Sequence, residues 1–158
     1  MKTNLITAAG IKVLEEEFDY LWRVERPKIV KGVTAAAEEG DRSENAEYIY
    51  GKKRLREIDS RLKHLGGRLK VLKVSSLPAN PKAISFGCWV SYEDMDGGEY
   101  CYQLVGPDEF DVKAGKISID SPVGQALLGK RLDDEVLIRR PNGDLTVYIT
   151  AISPYKPE

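Results

Sequence analysis

The chain has 158 residues, 42% hydrophobic and 31% charged, which is enough apolar content for a packed core and too much for wholesale disorder. No run approaches the ~18 uncharged apolar residues of a membrane helix. Lys12 and Glu15 interrupt the amino-terminal apolar stretch too soon for a secretory signal, which predicts a cytoplasmic protein. The net charge of −1 hides an asymmetry: residues 1–77 hold 16 Lys+Arg against 12 Asp+Glu, and residues 78–158 hold 8 against 13. A basic first half suits an anionic partner and an acidic second half a different one. Cys88, Cys101 and the single histidine, His64, make neither a disulfide framework nor a four-ligand zinc site.

In chain order, Thr7 is a helix N-cap, and Ile11, Leu14, Phe18 and Leu21 follow at helical spacing. Ile29, Val33 and Ala36 resume the stripe beyond Pro27, which should bend the helix or shift its register without ending it. Gly40 closes the segment. In the second helix Tyr48, Gly51, Leu55, Ile58, Leu62, Leu65, Leu69 and Leu72 alternate steps of three and four, a coiled-coil seam with weak spots at Gly51 and Gly66-Gly67. The short connection between the two helices requires an antiparallel hairpin whose tip is the turn at residues 40–45. The sequence therefore predicts an α-helical coiled-coil hairpin over 1–76 and a linker over 77–81. A small α+β domain follows over 82–158.

That domain reads as strands at 84–92, 100–105, 116–119, 135–139 and 145–152. Turns are expected at Asp96-Gly97-Gly98 and Pro141-Asn142-Gly143-Asp144, and a short helix at Ser121–Leu128, capped by Ser121 with Pro122 in its first turn. An antiparallel sheet with one packed helix is the expected arrangement. No aromatic-lined pocket is spelled out in this half.

Two features carry chemistry. Asp41 and Glu44 have the spacing of a capping box at the start of the second helix. They also place two carboxylates within one turn at a narrow tip, where they could complete the oxygen shell of a magnesium ion held mainly by another protein. Behind them, Lys52, Arg56, Lys63 and Lys70 fall on one flank of the helix, and Arg54, Arg61 and Arg68 on the other. Such residues border a coiled coil as a solvated edge. Yet residues 52–56 hold four cations and no acid, a density suited to RNA.

The run GDRSENAEYIYGKKRLREID resembles the signature of the bacterial Gre transcript-cleavage factors, and its basic continuation is similar to the GreB branch. The opening MKTNLIT, the run LEEEFDYLWRVERP, and Ile117-Ser118-Ile119-Asp120-Ser121-Pro122 with Gln125-Ala126-Leu127-Leu128-Gly129-Lys130 fit the same family. The resemblance implies a coiled-coil hairpin followed by an FKBP-like domain that docks on bacterial RNA polymerase. By the same resemblance the hairpin enters the polymerase secondary channel and stimulates cleavage of backtracked nascent RNA at its extruded 3′ end. Asp41 and Glu44 would then serve the second magnesium ion of the polymerase active site, with Glu44 also positioning or deprotonating the attacking water. Ser43 would support the tip. Lys52, Lys53, Arg56 and Arg61 would hold RNA phosphates, and Asp120, Ser121 and Pro122 would touch the polymerase. No cofactor of its own, no small-molecule substrate and no membrane partner is implied, and the protein would stimulate an activity of the polymerase and not be an enzyme itself. The alternatives are a regulator that occupies the same channel without promoting cleavage, a prolyl isomerase, and a coiled-coil scaffold.

Overall fold

In the computed structural model, which describes residues 3–40 and 44–157, the chain divides into two compact units. One comprises residues 11–71, and the other comprises the described residues up to Gly10 together with those from Leu72 onward. Residues 3–10, placed with the hairpin on sequence grounds, thus group with the sheet. Their short strand β1 (Leu5–Ile6) pairs in parallel with β2 (Lys73–Val74), a ribbon too short to leave a sequence pattern.

The hairpin unit carries most of α1 (Ala8–Tyr20), a π-helical turn over Leu21–Glu25, α2 (Arg26–Glu38) and α3 (Ala46–Val71). The Arg26 amide donates to the Leu21 carbonyl, five residues back, immediately before Pro27. Proline cannot donate to the helical ladder, and its ring crowds the carbonyl four residues earlier. The wider turn absorbs both defects, and the helix changes register without ending, as the sequence predicts. Leu21 and Ala36 are buried on this arm, and Gly51, Ile58, Leu62 and Leu65 on α3.

Gly51 is not the weak spot its helix propensity suggests. A Cβ there would stand 2.4 Å from Val33 Cγ2, so the missing side chain is what lets the two arms approach. Ion pairs link the arms, among them Arg61 to Glu17 at 2.6 Å, Arg54 to Glu25 at 2.6 Å, and Arg26 to Asp59 at 2.8 Å.

The second unit is built on a five-stranded sheet in the order β5 (Lys116–Ser118), β4 (Glu99–Val105), β3 (Trp89–Asp94), β7 (Leu145–Ser153), β6 (Glu135–Ile138). Its pairs are antiparallel, as expected, except β4–β5 at one edge, which run parallel. The chain between β4 and β5 includes a 3₁₀ turn at Val112–Ala114 and returns in the direction of β4 instead of forming a hairpin. The helix α4 (Pro122–Leu127) touches both edge strands, β5 and β6, so the sheet curls about it.

The strand expected from Ile84 begins at Trp89. Gly87, at φ +89°, takes a left-handed conformation that breaks the ladder. Ile84, Phe86 and Cys88 still alternate into the core with Val90 and Tyr92. Opposite them lie Leu104, Leu127, Val136, Ile138, Val147 and Ile149. On this same face Tyr92, Tyr100 and Tyr102 line a cavity of about 180 Å³, an aromatic-lined pocket that the sequence does not spell out.

The amino-terminal arm is held by one carboxylate. Glu109 accepts from the Thr7 amide at 2.8 Å, from the Thr7 hydroxyl, and from the Gly106 amide at 3.1 Å. Thr7 Oγ1 in turn accepts from the Gly10 amide at 3.0 Å, the N-cap expected of it. Among the described residues no helix is long and apolar enough to cross a membrane.

Candidate functional site

The end of the hairpin is built by Asn45. Helix α3 starts at Ala46, and Asn45 Oδ1 accepts from the Tyr48 amide at 3.1 Å, the bond an N-cap makes to the third helical residue. Its Nδ2 donates to the Ala36 carbonyl at 2.9 Å, tying the start of one arm to the end of the other. The capping-box reading of Asp41 and Glu44 is therefore corrected: Glu44 precedes the cap and is not the third helical residue. In the sequence Asp41-x-x-Glu44 meets the same spacing rule a few residues earlier and competes with Asn45, whose place immediately before the apolar period marks it as the cap. Gly40, at φ +114°, turns the chain out of α2 in a conformation that favours glycine.

Glu44 is exposed on the turn, and its carboxylate serves no cap. Asp41 and Ser43, the other expected tip residues, lie outside the described residues. Among the described residues no group of three or more His, Cys, Asp or Glu side chains could enclose a metal ion. An exposed carboxylate of this kind suits magnesium only as one added oxygen ligand on an ion held mainly by other groups.

The two flanks of α3 differ in how their cations are used. Lys52, Lys53 and Arg56 are exposed, and no hydrogen bond or ion pair involves them among the described residues; Lys63 and Lys70 continue the same exposed flank. Arg54 on the other flank is held by Glu25 and by Glu57 at 3.3 Å, and its guanidinium pKa is raised, chiefly by the Glu25 hydrogen bond. Arg61 grips Glu17 with two hydrogen bonds of 2.6 and 2.8 Å, which hold the Glu17 carboxyl below its ordinary range. Asp59 is lowered likewise by its bond to Arg26. Acids of both arms thus pair with arginines, while Lys52, Lys53 and Arg56 have no paired acid among the described residues. Arg61, expected to meet RNA, is exposed and pairs with Glu17 of the other arm.

In the sheet unit, Ser121 caps α4: its hydroxyl accepts from the Gly124 amide at 3.1 Å and donates to the Ser118 carbonyl at 2.6 Å. Pro122 occupies the first helical turn and is exposed. Asp120 accepts from the Thr3 amide at 3.0 Å and from its hydroxyl, and the hydroxyl bond is the main cause of its lowered pKa. The three residues are adjacent on one surface turn while each also serves the local fold.

Two family models cover nearly the whole chain. One, described as transcription elongation factor, N-terminal, matches residues 4–74, and the other, transcription elongation factor, GreA/GreB, C-term, matches residues 79–154. A curated relative, transcription elongation factor GreB of Yersinia pestis, is 52% identical over 157 residues, covering 99% of this chain and 91% of its own. GreB of Pseudomonas aeruginosa is also 52% identical, covering 98% of this chain and 92% of its own. A solved structure of the transcription factor Gfh1 aligns at 26% identity with a TM-score of 0.45, covering 96% of this chain and 99% of that one. With both family models matched in order and half of all positions shared with full-length relatives, the chain belongs to the GreA/GreB family of transcription elongation factors.

Proposed function

We propose that this protein acts on bacterial RNA polymerase, inserting the end of its hairpin into the secondary channel and stimulating endonucleolytic cleavage of backtracked nascent RNA. The observation that carries this reading is the Asn45 cap. Because Asn45 satisfies the start of α3, Glu44 remains an exposed carboxylate on the turn and is free to act on something outside the chain.

In that complex Asp41 and Glu44 would contribute oxygens to a magnesium ion held mainly by the polymerase. The ion, when bound, supplies charge stabilisation for phosphodiester hydrolysis. Glu44 would orient the attacking water and accept its proton, and Ser43 would support the turn by hydrogen bonding. Lys52, Lys53 and Arg56 would hold the phosphates of the extruded RNA, a contact that positions without reading sequence. Asp120, Ser121 and Pro122 would form part of the polymerase contact. The chain would be a stimulatory factor with no cleavage activity of its own.

The deciding experiment measures cleavage of 3′-labelled RNA in stalled, backtracked elongation complexes with and without the protein. Faster release of 3′ fragments supports the reading. Stable binding to the complex with no acceleration would instead identify a non-cleaving regulator.

A further inference from the structure

The outer face of the five-stranded sheet carries one continuous row of side chains. In the strand register Glu99 stands opposite Glu93, Glu93 opposite Tyr148, and Tyr148 opposite Glu135. Their chain neighbours Tyr92, Val136, Val147 and Ile149 are buried in the core, so alternation puts this row on the opposite face. Glu99, Tyr148 and Glu135 are exposed, and Glu93 is half-buried. The Tyr148 hydroxyl donates to Glu135 at 3.3 Å, and among the described residues no cation is paired with any of the three glutamates. Like charges directly opposite each other on neighbouring strands weaken a sheet, a cost that a cation from outside relieves at Glu93 and Glu99. Those two residues also border a groove of about 420 Å³ whose lining includes Ser91, Cys101 and Ala151. Small residues there leave room for the aliphatic stem of a long side chain.

The complementary surface is on the hairpin. Lys52, Arg56 and Lys63 are exposed and without a paired acid among the described residues. At 100° per residue they stay within about 40° of one another around α3. Asp59, on the same side, is already neutralised by Arg26.

The two rows agree in spacing as well as in sign. Along α3 the cations are four and then seven residues apart, which is about 6 and 10.5 Å. Across the sheet, Glu99 and Glu93 lie on adjacent strands and Glu135 lies two strands beyond, which is about 5 and 10 Å. The unequal steps fix the direction: Lys52 over Glu99, Arg56 over Glu93, and Lys63 over Glu135. Ser60, a short side chain, then comes where Tyr148 stands.

We infer that the outer sheet face of one copy receives the Lys52–Arg56–Lys63 flank of α3 from a second copy. The two surfaces differ, so the contact is heterologous. A flank held in this way cannot also hold RNA phosphates. Self-association therefore withholds the factor, and dilution or salt returns it; this consequence rests on the function proposed above, while the contact itself does not.

The test is sedimentation velocity of the full chain over a concentration series at low and high salt, with thermal unfolding to confirm the fold of each variant. Wild type should grow heavier with concentration at low salt and return to the single-chain mass at high salt, which screens exposed charges. Glu93→Lys with Glu99→Lys, and separately Lys52→Glu with Arg56→Glu, should each weaken self-association at least about tenfold by setting like charges against one another. An equimolar mixture of the two double variants should associate again, because each supplies the surface that the other lacks. Single-chain mass at every concentration in low salt, or folded double variants that associate as wild type does, would overturn the contact. Single-chain mass together with polymerase binding lost in the Glu93→Lys, Glu99→Lys variant would overturn it in favour of the polymerase as occupant. Salt-sensitive association of a protein that accelerates no RNA cleavage would support the contact and overturn the proposed function alone.

Discussion

The hairpin and the sheet unit keep their structure by different means. The sheet unit encloses a core of twelve buried residues, from Ile84 to Ile149, gathered from strands, a helix and an irregular segment. The hairpin has a narrow seam, four buried positions on α3 against Leu21 and Ala36 among others, and edges laced by partly exposed ion pairs. A two-helix rod has little interior, so most of its side chains face water and can be assigned to outside partners at small cost to the fold. The sheet unit keeps a smaller share of its described residues exposed. The difference predicts that changes in the hairpin alter activity more than stability, and that core changes in the sheet unit do the reverse.

The sharpest test of that contrast is Glu44→Gln. Removing a general base typically costs ~10²–10⁴-fold, so stimulated cleavage should fall by at least about a hundredfold in single-turnover assays. Unfolding should be unchanged, because Asn45 provides the cap. A variant that cleaved normally at limiting magnesium would break the assignment.

Leu104→Ala supplies the opposite case. Leu104 is fully buried in the sheet core, and a truncation of this type costs ~2–5 kcal/mol. Denaturant unfolding should register that loss while saturating cleavage at low temperature stays near wild type.

Replacing Lys52, Lys53 and Arg56 together with alanine should have a smaller, graded effect. These residues lie off the buried seam, so circular dichroism should be unchanged. Each lost phosphate contact should flatten the log–log salt dependence by roughly 0.7, and long backtracked RNAs should suffer more than two- or three-nucleotide ones. Equal defects at all lengths would point to lost docking.

The smallest expected effect is electrostatic. Glu17 is held below its ordinary pKa by Arg61, so the pair stabilises the hairpin above the unfolded carboxyl value of 4.5 and loses this as pH falls through the lower folded value. Both side chains are substantially exposed, which limits the contribution to under ~1 kcal/mol. Glu17→Gln should be slightly less stable than wild type at neutral pH, and the difference should shrink as an acid titration passes below about pH 4.5.

The helices were legible because their order is local. Steps of three and four from Tyr48 to Leu72 report a buried seam, and Thr7, Gly40 and Ser121 mark boundaries by chemistry that acts within one turn. The alternation of Ile84, Phe86, Cys88, Val90 and Tyr92 likewise gave the core face correctly, yet it could not show that the hydrogen-bonded ladder begins only at Trp89. What the sequence hid depends on distant pairing. Leu5 meets Lys73, and Glu109 holds Thr7 from 102 residues away. The parallel partner of β4 and the tyrosine cavity, which draws on all five strands, are assembled across gaps that no periodicity spans. At the candidate site the capping rule was satisfied twice within five residues, and only the geometry chose Asn45.

The π-turn at Leu21–Glu25 has a consequence for the length of the chain. Along the first arm the apolar sequence runs Leu14, Phe18, Leu21, then Ile29, Val33 and Ala36, one residue late for an uninterrupted heptad. The wider turn houses that surplus residue, so the segments on either side keep the same side toward α3. It works as a phase corrector. Deleting one residue from 21–25 would turn the π-turn into an ordinary α-turn and leave the two segments in phase, whereas inserting one more would rotate residues 26–38 by about 100° relative to those before them. Such an insertion would turn Val33 away from Gly51 and aim the turn that carries Glu44 in a new direction around the arm. Single deletions in this stretch are therefore better tolerated than single insertions.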